Sequence, residues 1–355
     1  MKYGVLSHFS TKNLGDDIQT YAAVKLLPKV DYVLDRENLD SFCSENGEPV
    51  AVVMNSWWMW EKWNWPPADC IYPLMISMHI NNYDHYHGAS PIRDEWIKGI
   101  GGDYFRAYGP VGARDQTTMK YFAEHNIDSY FSGCLTLTLP KQKKTSDAGT
   151  YICVVDLKPE LEEKVREWLA DTGLEVRKIT HKYDARNPDT PLEEKLRKAE
   201  EVLTLYQNAK VVITERLHVT LPCLAMEVPV ISVVDLQNPD NYTRWAPYSD
   251  WVHHISEENF INHNFQYDFL NPPHNPTNYL ATRESLIKRV QDFVAETTGE
   301  YSIEQLKKTT YTPEEARNWQ YNLMHQTLDT WLYASRDLLR ELKKLKQTLQ
   351  SSKNE

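Results

Sequence analysis

Residues 209–232 read AKVVITERLHVTLPCLAMEVPVIS, and this pattern decides the fold class. An apolar strand at Val211, Val212 and Ile213 runs into Thr214-Glu215-Arg216-Leu217-His218. A second apolar run follows, and Pro229 opens another strand at Val230, Ile231 and Val233. This is half of a βαβ unit. In open α/β sheets, ligands sit beyond the carboxyl ends of the strands, where helix N-termini present free N–H groups. Arg216 and His218 fall at such a junction, and a fixed cation beside a titratable imidazole suits an anionic, phosphate-bearing ligand.

The same alternation extends outward. Upstream, Tyr151–Val155 reads as a strand, Pro159–Thr172 as an amphipathic helix, Leu174–Thr180 as a strand and Leu192–Gln207 as a helix. At the N-terminus, Lys2–His8 reads as a strand and Asp16–Leu27 as a helix closed by Pro28. Short strands are expected at Asp31–Leu34, Val50–Met54, Ile71–Ile80, Tyr104–Tyr108 and Asp128–Phe131, with helices at Pro91–Ile97 and Gln116–Asn126. Strands alternating with helices imply parallel sheets with right-handed crossovers. The polar stretch from Leu139 to Ala148 is the natural linker.

The expected fold is therefore α/β: two Rossmann-like parallel-sheet domains facing a cleft, with a C-terminal helical extension. Residues 1–140 form the N-terminal domain, 150–280 the second and 281–355 the extension. The 355-residue length fits about two domains of ~150 residues each. Residues 256–279, rich in Asn and Pro, read as a long loop. Beyond them come helices at Glu284–Glu296 and from Pro313 to about Gln350. In the last, Leu328, Trp331, Leu332, Leu338, Leu342, Leu345 and Leu349 recur at three- and four-residue steps. That helix packs on the body, crosses between domains or forms a homo-oligomer seam; peripheral membrane association is the lesser alternative.

Composition narrows the partners. The net charge is −11 and no basic stripe occurs, which argues against nucleic acid. An anionic ligand would then depend on local arginines. The five cysteines are scattered without a CxxC pair, so a zinc or redox motif is not supported and reduced thiols are expected. No apolar run approaches ~18 residues and the first one is too short for a signal peptide, so the expected location is cytoplasmic.

Three junctions carry chemistry. Asn13-Leu14-Gly15-Asp16-Asp17 opens the first helix. Gly15 permits close backbone approach, Asp16 or Asp17 is suited to cap, and Asp16 is suited to act as a base on an acceptor hydroxyl. Gly112-Ala113-Arg114-Asp115 precedes a helix that Asp115 would cap, leaving Arg114 for an anion or for pairing with Asp115 or Glu124. In Glu215-Arg216-Leu217-His218, His218 is either a proton-transfer group or a satisfied core histidine, and Glu215 is a partner for Arg216 or a cap. Trp57, Trp58, Trp60, Trp63 and Trp65 lie within nine residues. They either stack on sugars from an exposed loop or pack inside. His79, His85 and His87 with Asp84 match no closed metal site, so no metal is expected, although His79 is placed to line a cleft.

Asn13, Gly15 and Asp16, then Arg114 and Asp115, then Arg216, Leu217 and His218 followed by Val228-Pro229-Val230, form an ordered set. Over about residues 1–235 this set resembles the polysaccharide pyruvyl transferase family. The resemblance implies a GT-B-like fold and transfer of a pyruvyl group from phosphoenolpyruvate to sugar hydroxyls, giving a pyruvate ketal in cell-surface or exopolysaccharide synthesis. It implies phosphoenolpyruvate as co-substrate without a further cofactor, and a saccharide or glycan precursor as acceptor.

By the same resemblance, Arg114, Arg216 and His218, with Gly15 and Asn13, serve the donor. His218 is the leading acid/base and Asp16 a second, while His79, Trp57 and Trp58 are placed toward the acceptor. Ser77-Met78-His79-Ile80 stands where many members have a Gly/Gln-rich turn, and Cys134 stands near where others carry aspartate. Two rival readings are a glycosyltransferase of the same fold using a nucleotide-sugar donor and a non-enzymatic assembly scaffold.

Overall fold

The computed structural model describes residues 1–9, 11–58, 62–80, 94–184, 189–238, 242 and 244–351, with only the backbone at 334, 345 and 347–351. Trp60, Asp84, His85, His87 and the start of the helix expected at 91–97 lie outside these residues.

The N-terminal half opens with β1 (Lys2–Ser7), α1 (Leu14–Leu26) and β2 (Tyr32–Asp35). Next come β3 (Val50–Val53), β4 (Trp57–Trp58), β5 (Ile71–Leu74) and β6 (His79–Ile80). A parallel sheet forms in the order β2-β1-β3-β5. The single strand expected over 71–80 is two, because Ser77 adopts φ +55 and breaks the extended run. The segment continues through α2 (Gly99–Tyr108), β7 (Val111–Ala113), α3 (Gln116–Glu124) and β8 (Ser129–Phe131).

The strand expected at 104–108 is thus helical. Its aromatic residues look strand-like in isolation. In the fold, Tyr104 and Phe105 lie on the buried face of α2, where Phe105 stacks on Trp65 with ring centroids 4.6 Å apart. Tertiary packing overrides local preference there.

The second half contains β9 (Tyr151–Val155), α4 (Pro159–Leu169), β10 (Glu175–Ile179), α5 (Leu192–Asn208), β11 (Val212–Thr214), α6 (Leu217–Ala225), β12 (Val230–Val233) and β13 (His253–Ile255). Its sheet is fully parallel, in the order β10-β9-β11-β12-β13. The stretch expected as a loop after 255 holds a short helix, Glu257–Ile261. The α/β class, the two parallel sheets and the helical C-terminal extension agree with the reading of the sequence.

Both sheets contribute to one apolar cluster, in which Val5, Ala51 and Val53 join Tyr151, Cys153 and Val212. The helix Leu280–Glu296 returns to the first half: Phe293 stacks on Tyr72 with a centroid distance of 5.9 Å. Backbone hydrogen bonds also tie the halves beside β1. Leu14 N donates to His181 O at 2.8 Å and Tyr183 N to Lys12 O at 2.8 Å. Cys43 is exposed; the other four cysteines are free and buried.

Candidate active site

The carboxyl ends of β1, β7, β9 and β11 converge, and each delivers a polar side chain. After β1, Asn13 caps α1 by accepting from Gly15 N at 3.1 Å, so neither Asp16 nor Asp17 is the cap. After β7, Arg114 is buried, and Asp115 caps α3 by accepting from Thr118 N at 2.8 Å. After β11, Arg216 precedes α6 and His218 sits in its first turn, with ψ +18 departing from helical geometry.

These groups come together. Arg114 Nη1 donates to Gln19 Oε1 at 2.7 Å and lies 3.4 Å from His218 Nε2. Arg114 Nε is buried without a hydrogen-bond partner among the described residues. An orphaned donor on a buried guanidinium has the chemistry to take an anionic oxygen. Arg114 pairs with neither Asp115 nor Glu124 in this arrangement; Gln19 holds it, and Tyr248 Oη donates to its backbone carbonyl.

Arg216 pairs with Asp156 at the end of β9, not with Glu215, and its Nη1 reaches Asn13 Oδ1 at 3.4 Å. Gly15 lets the backbone approach His218 closely: a Cβ there would fall 3.1 Å from His218 Cβ and 3.3 Å from its Nδ1. Cys134 Sγ lies 3.7 Å from His218 Nε2.

Burial, reinforced by the charges of Arg114 and Arg244, drives the His218 pKa well below the ordinary imidazole value. The ring is neutral near pH 7, and its Nε2 lone pair faces Arg114. Burial raises the Asp16 carboxyl, against the pull of Arg36 and Thr11. Both Asp16 oxygens are engaged, Oδ2 by Thr11 Oγ1 and Oδ1 by Gln19 Nε2 at 3.2 Å. Asp16 therefore steers Gln19, and through it Arg114.

His79 Nδ1 lies 2.5 Å from Asp115 Oδ2. Burial lowers the His79 pKa despite that carboxylate, so a neutral ring donates Nδ1–H to ionised Asp115. For Asp115, burial pushes upward, but His79 and Arg114 outweigh it and hold the carboxyl low.

Of the described tryptophans in the run, Trp57, Trp58, Trp63 and Trp65, none is exposed. Trp58 is fully buried in the N-terminal core, where it meets Trp65 edge-on at 5.4 Å, so it offers no face to a ligand. Trp57 is half-buried beneath Arg36, whose guanidinium carbon sits 4.0 Å from the ring centroid.

Gln19, Asp156 and Arg244 were not singled out from the sequence. Gln19 lies one turn after Gly15 on the same helix face, a legible signal; Asp156 and Arg244 belong to no motif. No group of three or more metal-ligating side chains occurs among the described residues. No helix among them is long and apolar enough to cross a membrane.

Comparison with known proteins gives one decisive match. Among solved structures, an uncharacterized protein from Klebsiella pneumoniae is similar at TM-score 0.40 and 15% identity, covering 72% of this chain and 92% of that one. The UDP-GlcNAc 2-epimerase of Methanocaldococcus jannaschii, solved with UDP-GlcNAc and UDP, is similar at 0.35 and 12%, covering 92% and 100%. The E. coli heptosyltransferase WaaC, with ADP-2-deoxy-2-fluoro heptose, gives 0.32 and 13%, covering 84% and 100%. No curated protein matches the sequence. The polysaccharide pyruvyl transferase profile matches residues 13–238, a span that contains Asn13, Gly15, Arg114, Arg216 and His218, and the chain belongs to that transferase family.

Proposed function

We propose that the protein transfers a pyruvyl group from phosphoenolpyruvate to two hydroxyls of a saccharide acceptor, forming a ketal, with no further cofactor. The observation that supports this most is the meeting of Arg114 from one half with His218 from the other, beside an orphaned guanidinium Nε, while Arg216 reaches Asn13 across the same halves. Phosphoenolpyruvate presents a carboxylate and a phosphate, and two arginines from opposite sides match two anionic groups.

In this reading a sugar hydroxyl attacks C2 of phosphoenolpyruvate, giving its proton to neutral His218, and a proton passes from His218 to the C3 methylene, which becomes a methyl group. Phosphate then leaves with the C2–O bond electrons. A second hydroxyl closes the ketal, and its proton ends on the released phosphate. His218 is the proton-transfer group. Neutral in the free site, it gains basicity when the donor's negative charges neutralise Arg114 and Arg244. Arg114 and Arg216 hold the donor, with Gly15 and Asn13 shaping its seat, and His79 is offered toward the acceptor. Asp16 orients Gln19 and Arg114 rather than acting as a second base, because neither of its oxygens is free. The proposed setting is glycan assembly in the cytoplasm.

The test is thermal stability during titration with phosphoenolpyruvate, with UDP and CMP as controls, in the wild type and Arg216→Ala. Saturation at a hundredfold excess over Kd adds about 2.7 kcal/mol of stability. The expected result is a rise in Tm with phosphoenolpyruvate that disappears in Arg216→Ala. A rise with a nucleotide alone would replace this reading with a nucleotide-sugar glycosyltransferase.

A further inference from the structure

A cleft of about 90 Å³ opens beside the first turn of α1, between the two halves. His8, Phe9, Thr11 and Asp17 line it from one half; Tyr183, Thr190, Lys195 and Lys198 line it from the other, with Lys198 already paired to Glu194 at 2.9 Å. Two almost fully buried charged side chains border it. Asp17 Oδ2 accepts from Tyr183 Oη at 2.7 Å, but Oδ1 is buried without a hydrogen-bond partner among the described residues. Lys195 Nζ donates to Ser7 Oγ at 3.3 Å rather than to Asp17.

A buried carboxylate oxygen and a buried ammonium that face one space without pairing are costly unless something bridges them. A simple anion would satisfy Lys195 and repel Asp17; a simple cation would do the reverse. A hydroxyl donates to a carboxylate and accepts from an ammonium, so adjacent hydroxyls on one ring satisfy both. Phe9 and Tyr183 supply apolar flanks for the C–H faces of such a ring.

We propose that this cleft is a saccharide subsite, in which Asp17 accepts from one ring hydroxyl and Lys195 donates to its neighbour. The inference deepens the acceptor side of the function proposed above and rests on that reading. It assigns the substrate class to residues outside the arginine–histidine cluster.

Saturation-transfer NMR of the full chain with the methyl glycosides of glucose, galactose and mannose tests it, using wild type, Asp17→Asn and Lys195→Met. At least one glycoside should bind the wild type, with each variant at least tenfold weaker and the phosphoenolpyruvate-induced rise in Tm unchanged. Equal binding in both variants, or no binding of any glycoside to wild type, overturns the subsite. Loss of the phosphoenolpyruvate response in wild type would count against the donor reading alone, because glycoside binding is read separately.

A second inference rests on the last helix, Pro313–Ser351. Its root packs on the body: Leu323 is buried and Trp331 meets Trp63 edge-on at 6.1 Å. Beyond the root, Leu332, Leu338, Leu339 and Leu342 are exposed. Past the root, Ser335, Leu338 and Leu342 follow alternating three- and four-residue steps, which the sequence continues at Leu345 and Leu349. These are the a and d positions of a coiled coil. In that register Glu341 is a g position and Lys346 the next e position. A parallel second copy sets Glu341 against Lys346.

We infer that the free arm pairs with the same arm of a second copy, in parallel. Sedimentation of the full chain should give a dimer, and Leu338→Asp with Leu342→Asp a monomer that still responds to phosphoenolpyruvate. A monomeric wild type, including one that instead floats with anionic phosphatidylserine vesicles, overturns it.

Discussion

Arg114 Nη1 lies 3.4 Å from His218 Nε2, although the two residues stand on opposite halves of the chain, 104 positions apart. The guanidinium helps keep the imidazole neutral, and the imidazole leaves its lone pair toward the guanidinium. An anion entering between them changes the state of both. Replacing His218 with Ala is therefore expected to lower kcat by ~10²–10⁴-fold. Protection by phosphoenolpyruvate should be retained in large part. Near-wild-type kcat in rapid-quench assays would remove the proton-transfer role.

Gln19 links Asp16 to Arg114 through two side-chain hydrogen bonds. Gln19→Ala leaves a buried guanidinium with fewer acceptors, at a cost of about 1–3 kcal/mol. The expected outcome is a roughly tenfold or greater rise in KM for phosphoenolpyruvate, measured by initial rates, with acceptor KM little changed.

Gly15→Ala would press a methyl group onto His218. Overpacking of this kind costs typically about 1–3 kcal/mol. Because the displaced group is the imidazole, kcat should fall by more than the loss of stability accounts for. Calorimetry and turnover measured on the same sample separate the two effects.

Burial, only partly offset by Tyr183 and Lys195, raises the Asp17 pKa to about 6. Between its ordinary value and about 6 the folded state holds a proton that the unfolded state has lost. This group's contribution therefore falls as pH rises through that window and stays unfavourable above it, by on the order of 3 kcal/mol. Asp17→Asn should raise Tm at pH 8 and lose that advantage near pH 4. In the proposed subsite, the stabilised variant is also the one that binds sugar poorly.

His181 has the opposite sign. Burial, aided by Arg216, lowers its pKa to about 3, and its Nε2 bonds to Tyr206 Oη at 2.7 Å. Below pH 6.5 the unfolded state takes up a proton that the folded state refuses, so stability is lost on acidification toward pH 3. His181→Gln should flatten that acid limb of a Tm–pH profile, and an unchanged slope would contradict it.

The parallel α/β plan was legible because its signal is local and repeated: apolar runs of four or five residues closed by turn residues, with helices between them. Residues 104–108 misled for the converse reason, since Tyr104 and Phe105 carry strand preference and only the packing of Trp65 and Trp96 around them makes that segment helical. At the site, Arg114, Arg216 and His218 stand at strand ends, where sequence reasoning looks first. Gln19, one turn past Gly15 on α1, was within reach of the same reasoning, whereas Asp156 and Arg244 belong to no motif and reach the site through the tertiary arrangement of their elements. The tryptophan run shows the limit of composition: the same residues suit a sugar platform or a core, and Trp58 with Trp65 took the core. Asp17 was passed over as a capping residue because its orphaned oxygen is a property of the cleft, not of the motif.

The apolar cluster common to both sheets bears on how the molecule comes apart. Val5 and Val53 bury their side chains in the same core as Val155 and Val212, so neither sheet has a complete interior without the other. Excising one half would expose a hydrophobic face that the remaining chain is not built to cover. The halves should therefore melt together in one cooperative transition, with calorimetric and van't Hoff enthalpies in agreement across the joined body. Local opening between them is then restricted to the polar rim, where the strand ends and their ligand-seeking side chains meet.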